Sequence, residues 1–211
     1  NQTGIDRNGE QNINCLKKIN NISIKAIFSP EHGYFLNHPA GTLINGQSYI
    51  NDIPVISLYG KQKAPTTKQL NNVDILIYDI QDIGARSYTY ISTLGLAMES
   101  AAEANVDMMI LDRPNPITSQ KKQGPTLHLN YQSFVGQYPI KTRYGLTIGE
   151  LAKKIIKHNW IKKSPNLTVI EMQNHTKKQW FDQTKLPWVS PSPNIPSLNN
   201  AIIYTATVLF E

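Results

Sequence analysis

A single cysteine, Cys15, stands in the 211 residues, so no internal disulfide can staple the chain, and no Cys/His spacing of the metal-binding kind surrounds it. No apolar run approaches the roughly 20 residues that a membrane-spanning helix requires. The sequence also lacks a Gly-x-Ser-x-Gly elbow, a phosphate-cradling glycine loop and a dinucleotide fingerprint, which argues against most covalent hydrolases and nicotinamide enzymes. Acidic residues are the scarcer charge: 21 Lys and Arg against 15 Asp and Glu leave a formal net charge of +6. The excess is scattered, with denser stretches at Lys153 to Lys163 and at Lys177 and Lys178. Such a balance suits an anionic partner, but lysines on helix faces are more often solvated surface. With 40% hydrophobic and only 17% charged residues, the chain is no disordered tail and can build a sizeable core. No signal-peptide pattern is visible, and the opening "NQTGIDRNGE" has no methionine, so the natural start is expected to lie upstream.

Four short runs carry the β-branched enrichment of buried strands: "ISIKAIF" (Ile22 to Phe28), "IPVISLY" (Ile53 to Tyr59), "VDILIYDI" (Val73 to Ile80) and "VDMMILD" (Val106 to Asp112). Between the last two, Ile91, Leu94, Met98 and Ala101 recur at helical spacing within Tyr88 to Ala104. Strand, helix, strand in that order predicts a right-handed parallel crossover. "QNINCLKKINN" reads as a further helix with Cys15 on its buried face. Residues 112–145 are rich in proline, glycine and polar side chains, which predicts loops over the sheet. "LTIGELAKKIIKHNW" restores a helix, with Thr147 and Glu150 spaced as a capping box and Leu151, Ile155 and Ile156 on its apolar face. "LTVIEM" (Leu167 to Met172) is a fifth strand candidate, and "WVSPSPNIPS" is too proline-dense to be anything but a loop. The sequence therefore predicts an α/β fold with a mainly parallel sheet.

In open parallel sheets ligands bind beyond the carboxyl ends of the strands, where loops leave the ladder and helix N-termini point inward. Three runs end in polar clusters there. "KAIFSPEHG" delivers Glu31 and His32; "ILIYDIQDIGARSYTY" delivers Asp79, Gln81, Asp82, Arg86 and Tyr88; "MMILDRPNP" delivers Asp112, Arg113 and Asn115. Any one of these could cap a helix, pair with a neighbour or shape a turn. Three clusters at three strand ends predict a site. Carboxylates, arginine, amides and tyrosines suit sugars, whose hydroxyls need paired acceptors and whose faces stack on aromatic rings. Glycoside hydrolysis needs a carboxylic acid to protonate the leaving oxygen, and Glu31, between Pro30 and His32 after an apolar strand, is placed for that role. A divalent metal held by Asp79, Asp82 and Glu31 is a competing use of the same atoms.

The stretches "NQTGID", "FSPEHGYF", "PVISLYG", "PTTKQLNNVDILIYDIQDIGARSYTYISTL", "LDRPNP", "SFVGQYPI", "RYGLTIGELA", "LPWVSPSPNIPS" and "YTATVLFE" occur in an order that resembles the NamZ-type (YbbC-like) exo-β-N-acetylmuramidases, a bacterial glycoside hydrolase family. The resemblance spans essentially the whole chain. It implies a Rossmann-like α/β domain over 1–211, with a mainly parallel sheet flanked by helices, a preceding strand and a smaller C-terminal domain lying outside this sequence. It implies release of N-acetylmuramic acid from the non-reducing end of peptidoglycan fragments, in an extracytoplasmic protein of cell-wall turnover or recycling. Glu31 would be a catalytic carboxylate and Glu150 of "TIGELA" a candidate for the second, although the capping box explains Glu150 equally well. His32, Asp79, Gln81, Asp82, Arg86, Tyr88, Asp112, Arg113 and Asn115 would line the sugar pocket. No cofactor, metal or nucleic acid enters that picture. Two positions depart from the family's pattern: Tyr144 stands where a histidine is expected, and Gln123 where members often carry glutamate before Gly-Pro. Against this reading stand a non-catalytic saccharide-binding module and a metal-dependent phosphoesterase.

Overall fold

A computed structural model describes residues 1–43 and 48–210; Glu211, the last residue of "YTATVLFE", lies outside them. Its central unit is a parallel, three-stranded sheet of β4 (Ile75–Tyr78), β5 (Asp107–Leu111) and β8 (Leu167–Ile170), in that spatial order. The crossover from β4 to β5 runs through α2 (Tyr90–Ala104) and that from β5 to β8 through α3 (Ile148–Lys157). The two helices touch each other as well as β5, so they cover one face side by side, as crossovers of one hand between successive strands demand. Leu94, Met98 and Ala101 of α2, Leu151 and Ile155 of α3 and Ile110 of β5 are fully buried between them.

The local chemistry explains where these elements stop. Asn105 takes the left-handed conformation at the end of α2, and the amide of Val106 reaches back to the Ala101 carbonyl, closing the last turn in the Schellman manner. At the start of α3 the Thr147 hydroxyl accepts from the Glu150 amide while the Glu150 carboxylate accepts from the Thr147 amide, the capping box that the sequence predicts.

A second sheet holds β1 (Ile27–Ser29), β3 (Ile53–Ser57) and β2 (Ser48–Ile50), with β1 parallel and β2 antiparallel to β3. β6 (Gln123–Thr126) and β7 (Lys141–Arg143) form an irregular antiparallel pair within the 112–145 excursion, which the sequence reads as loops alone. α4 (Leu198–Thr207) follows the proline-rich loop. The α/β architecture with a parallel sheet flanked by helices agrees with the sequence, but besides the β6–β7 pair two further local readings do not. The run Ile22 to Phe28 becomes a strand only from Ile27, because among the described residues β1 pairs with β3 alone and the preceding residues have no ladder. The free sides of β1 and β4 line a cavity of about 530 Å³, which Ile22, Ile24 and Met108 also border. α1 (Asn12–Lys17) is a six-residue helix with no buried residue, so Cys15 is not a core side chain. Fewer than two turns long, the helix borders that cavity through Asn12, Ile13 and Leu16.

Candidate active site

β1 ends at Ser29, and the chain turns back at once through Pro30 to Gly33, with the Gly33 amide bonded to the Pro30 carbonyl. The turn buries Glu31 to 7% exposure. One carboxylate oxygen accepts from the Gly41 amide at 2.9 Å and the other from the Thr89 hydroxyl at 2.7 Å, just ahead of α2. The Tyr59 phenol, two residues past the end of β3, feels the Glu31 carboxylate; burial and then this carboxylate push the phenol up to about 12. A buried carboxylate is thus held by donors from two loops, those after β1 and β4, the arrangement that makes its burial tolerable.

His32 stands beside it with positive φ and is 4% exposed. Its Nδ1 lies 2.9 Å from the His38 carbonyl, which can only accept, so Nδ1 carries the hydrogen and Nε2 is the free acceptor of the neutral ring. The imidazole stacks on Tyr88 with centroids 6.2 Å apart, and Tyr88 meets Tyr90 edge-on at 4.7 Å. Tyr90, wholly buried, donates its hydroxyl to the Pro191 carbonyl at 2.6 Å, which ties the "WVSPSPNIPS" loop over this aromatic group. That loop is ordered internally by the Ser190 hydroxyl and the Trp188 indole, both donating to the Ile195 carbonyl.

The remaining residues singled out by sequence fall into other clusters. Asp79 pairs with Arg113 at 2.5 Å and accepts from the Asn12 amide, and a side chain at Gly4 would collide with its carboxylate. Arg113 also donates to the Ile5 carbonyl. Gln81 spends its amide hydrogens on the carbonyls of Asp82 and Pro114. The Arg113–Ile5 bond, with the Thr3 hydroxyl accepting from the Gln81 backbone amide, fastens the "NQTGID" segment onto the sheet edge. Asp82, 2% exposed, accepts from the Gly84 amide and the Tyr144 hydroxyl, and burial raises its carboxyl to about 6 against the pull of both donors. Gly84, at φ +82°, sits against Asn115, which donates to the Leu146 carbonyl; any side chain at 84 would overlap the Asn115 oxygen. Arg86 donates to the carbonyls of Pro125 and Ile140, locking the β6–β7 pair. Asp112 accepts from the Thr147 hydroxyl and the Gly149 amide at the start of α3, and burial raises its carboxyl despite these donors. Glu150 completes the capping box and pairs with Lys177, sharing no partner with Glu31.

Of the expected set, the structure therefore gathers Glu31, His32 and Tyr88 into one group and uses the others as fasteners around it. Asp79 and Asp82 each have their own counter-group, and they do not converge with Glu31 into a three-carboxylate cage; among the described residues the grouping of potential metal ligands is Asp6, Glu10 and Cys15. Sequence reading missed Tyr59, Thr89 and Tyr90. Tyr59 was findable by the rule that found Glu31, since "PVISLYG" also ends a parallel strand. The two departures have structural partners: the Tyr144 hydroxyl reaches Asp82, and Gln123 accepts from Arg143 at 2.7 Å.

With this geometry in hand, comparison with known proteins is informative. The family pattern described as "Exo-beta-N-acetylmuramidase NamZ, N-terminal" matches residues 1–199. The chain is 44% identical over 214 aligned positions to the peptidoglycan beta-N-acetylmuramidase NamZ of Bacillus subtilis (strain 168), covering 100% of this chain and 51% of that protein. Among solved structures, a DUF1343 family protein of Bacteroides fragilis NCTC 9343 superposes with TM-score 0.89 at 40% identity, over 100% of this chain and 53% of the other. A second DUF1343 family protein of the same organism gives TM-score 0.81 at 35% identity, over 100% and 54%. The chain thus spans about half the length of the relatives it matches.

Proposed function

The chain belongs to the exo-β-N-acetylmuramidase NamZ N-terminal family, and from that membership we propose that it forms the acid-bearing half of a glycosidase that releases N-acetylmuramic acid from the non-reducing end of peptidoglycan fragments. The observation that carries this reading is Glu31: a buried carboxylate at the carboxyl edge of the parallel strands, with both oxygens held and an aromatic group beside it. In the reaction Glu31 is the general acid that protonates the departing glycosidic oxygen as the sugar develops oxocarbenium character. Thr89 serves both states of that acid, because a hydroxyl donates to the carboxylate and can turn to accept from the protonated form. Tyr88 and His32 belong to the pocket wall. Asp79, Gln81, Asp82, Arg86, Asp112, Arg113 and Asn115 hold that wall in place from behind, and Glu150 keeps the α3 N-terminus beneath it. The protein acts outside the cytoplasm, in cell-wall turnover and recycling, on peptidoglycan-derived saccharide.

The test is hydrolysis of a chromogenic β-N-acetylmuramide, with the matching glucosaminide as control, by this chain and by a protein of the relatives' full length. Release from the muramide alone by the longer protein is the expected result. Absence of release from the muramide, or equal release from both sugars, would overturn the proposal.

A further inference from the structure

An acidic sugar needs a cation in its pocket, and the two arginines nearest the strand ends are committed elsewhere: Arg86 to the carbonyls of Pro125 and Ile140, Arg113 to Asp79 and the Ile5 carbonyl. A different one stands beyond Tyr59, the phenol that feels Glu31. Tyr59, whose phenol feels Glu31, packs on Phe134 with ring centroids 6.2 Å apart. The Lys63 ammonium lies 4.3 Å from the centre of the Phe134 ring. The loop carrying Phe134 is pinned in place, because its carbonyl accepts from the Ser92 hydroxyl at 2.7 Å. Ser92 sits in the first turn of α2, three residues beyond the Thr89 that holds Glu31, so one helical turn anchors both sides of the arrangement. Tyr59 and Phe134 are half-buried and Lys63 is exposed; among the described residues no carboxylate forms an ion pair with Lys63.

The geometry points to a sugar subsite on this side of Glu31, in which Tyr59 and Phe134 take the apolar face of the ring and Lys63 reads the carboxylate of an acidic substituent. Lys63 is then the residue that distinguishes N-acetylmuramic acid, with its lactyl carboxylate, from neutral N-acetylglucosamine. This inference rests on the glycosidase reading for its choice of sugar. Its physical basis is separate. The ring face holds the ammonium in one position by cation–π attraction without neutralising it. A compact ammonium needs no bidentate geometry, and its flexible alkyl stem lets it meet a carboxylate at the end of a rotatable ether. A neutral sugar leaves the ammonium hydrated and gains nothing from it, so discrimination appears in binding rather than in the chemical step.

The decisive variant is Lys63→Met, which keeps the stem and removes the charge, measured in the protein of the relatives' full length. For the muramide KM is expected to rise about tenfold with kcat largely kept, as for loss of binding that ground and transition states share. For a muramide whose lactyl carboxylate is amidated, the variant and the parent should have the same KM. Lys63→Arg should restore most of the loss. An unchanged KM for the acidic sugar, or an equal rise for the acid and the amide, would overturn the inference. Calorimetric titration with free N-acetylmuramic acid and N-acetylglucosamine separates this inference from the reading beneath it. Binding of the acid that depends on Lys63 without any turnover removes the glycosidase and leaves the subsite. Turnover of the muramide alone, with a KM that Lys63→Met leaves unchanged, removes the subsite and leaves the glycosidase.

Discussion

Glu31 is bonded through both oxygens, and a substitution there can keep the shape while removing the proton. In Glu31→Gln the amide oxygen can still accept from Gly41 and the amide nitrogen can donate to the Thr89 hydroxyl, so the turn survives. Turnover of the muramide is expected to fall at least about a hundredfold, with binding of free N-acetylmuramic acid largely kept, as for loss of a general acid. Single-turnover rates beside a binding isotherm check both halves. Asp82 offers a prediction of another kind. Burial raises its carboxyl to about 6, above the roughly 3.9 of an unfolded aspartate. The folded state therefore binds this proton more tightly, and the stabilisation is complete below about pH 4 and lost as pH rises through about 6. Two units correspond to about 3 kcal/mol. Asp82→Asn removes the titration, so the stability of the natural protein relative to this variant should decline by up to about 3 kcal/mol between pH 4 and pH 7. Urea unfolding midpoints at the two pH values measure it.

At the scale of elements, α3 shows how much of a fold can be read locally. Its capping box lies within four residues, so spacing alone predicts it, and the structure contains both bonds. Tertiary folding adds a third tie, from the Thr147 hydroxyl to Asp112 across 35 residues, that no local pattern announces. Thr147→Ala should consequently cost about 1 to 2 kcal/mol, the upper end of the range for a lost N-cap, measured by chemical denaturation. α2 gives a complementary case. Gly95 lies where a Cβ would overlap the hydroxyl of Tyr138, a side chain that is itself fully buried and stacked on Trp160. Although alanine favours a helix over glycine by about 1 kcal/mol, Gly95→Ala should destabilise by about 1 to 3 kcal/mol, because a close-packed ring cannot withdraw without disturbing its neighbours. A rise in melting temperature would show that Tyr138 yields more easily than its packing suggests. The run Ile22 to Phe28 marks the limit of local reading: its composition is that of a buried strand, but a strand is a relation between neighbours, and only its last part has one.

Across the whole molecule, cooperativity should follow the layout of the two sheets. β5 is bonded on both sides and covered by α2 and α3, while among the described residues β1 and β4 each have one partner strand and border the 530 Å³ cavity. Hydrogen exchange should accordingly find its slowest amides in β5, intermediate ones in β4, and the fastest of this set in residues 22–26. Equal protection of residues 22–26 and β5 would contradict this ordering. Several features follow from the sequence by itself: the α/β alternation, the loop at "WVSPSPNIPS", the cap of α3, and the gathering of polar residues at strand ends. Hydrophobic period, proline content and cap spacing act over a few residues, so they are written locally. Which of those polar residues share a site was decided only in three dimensions. Glu31 meets Thr89 across 58 residues, Asp79 meets Arg113 across 34, and Asp82 meets Tyr144 across 62. A buried charge requires a partner, and the sequence lists many candidates of equal chemistry; the packing of strand ends against one another selects among them. That selection leaves Glu31 with neutral donors and an aromatic group beside it, and gives the other carboxylates the work of holding the edge together.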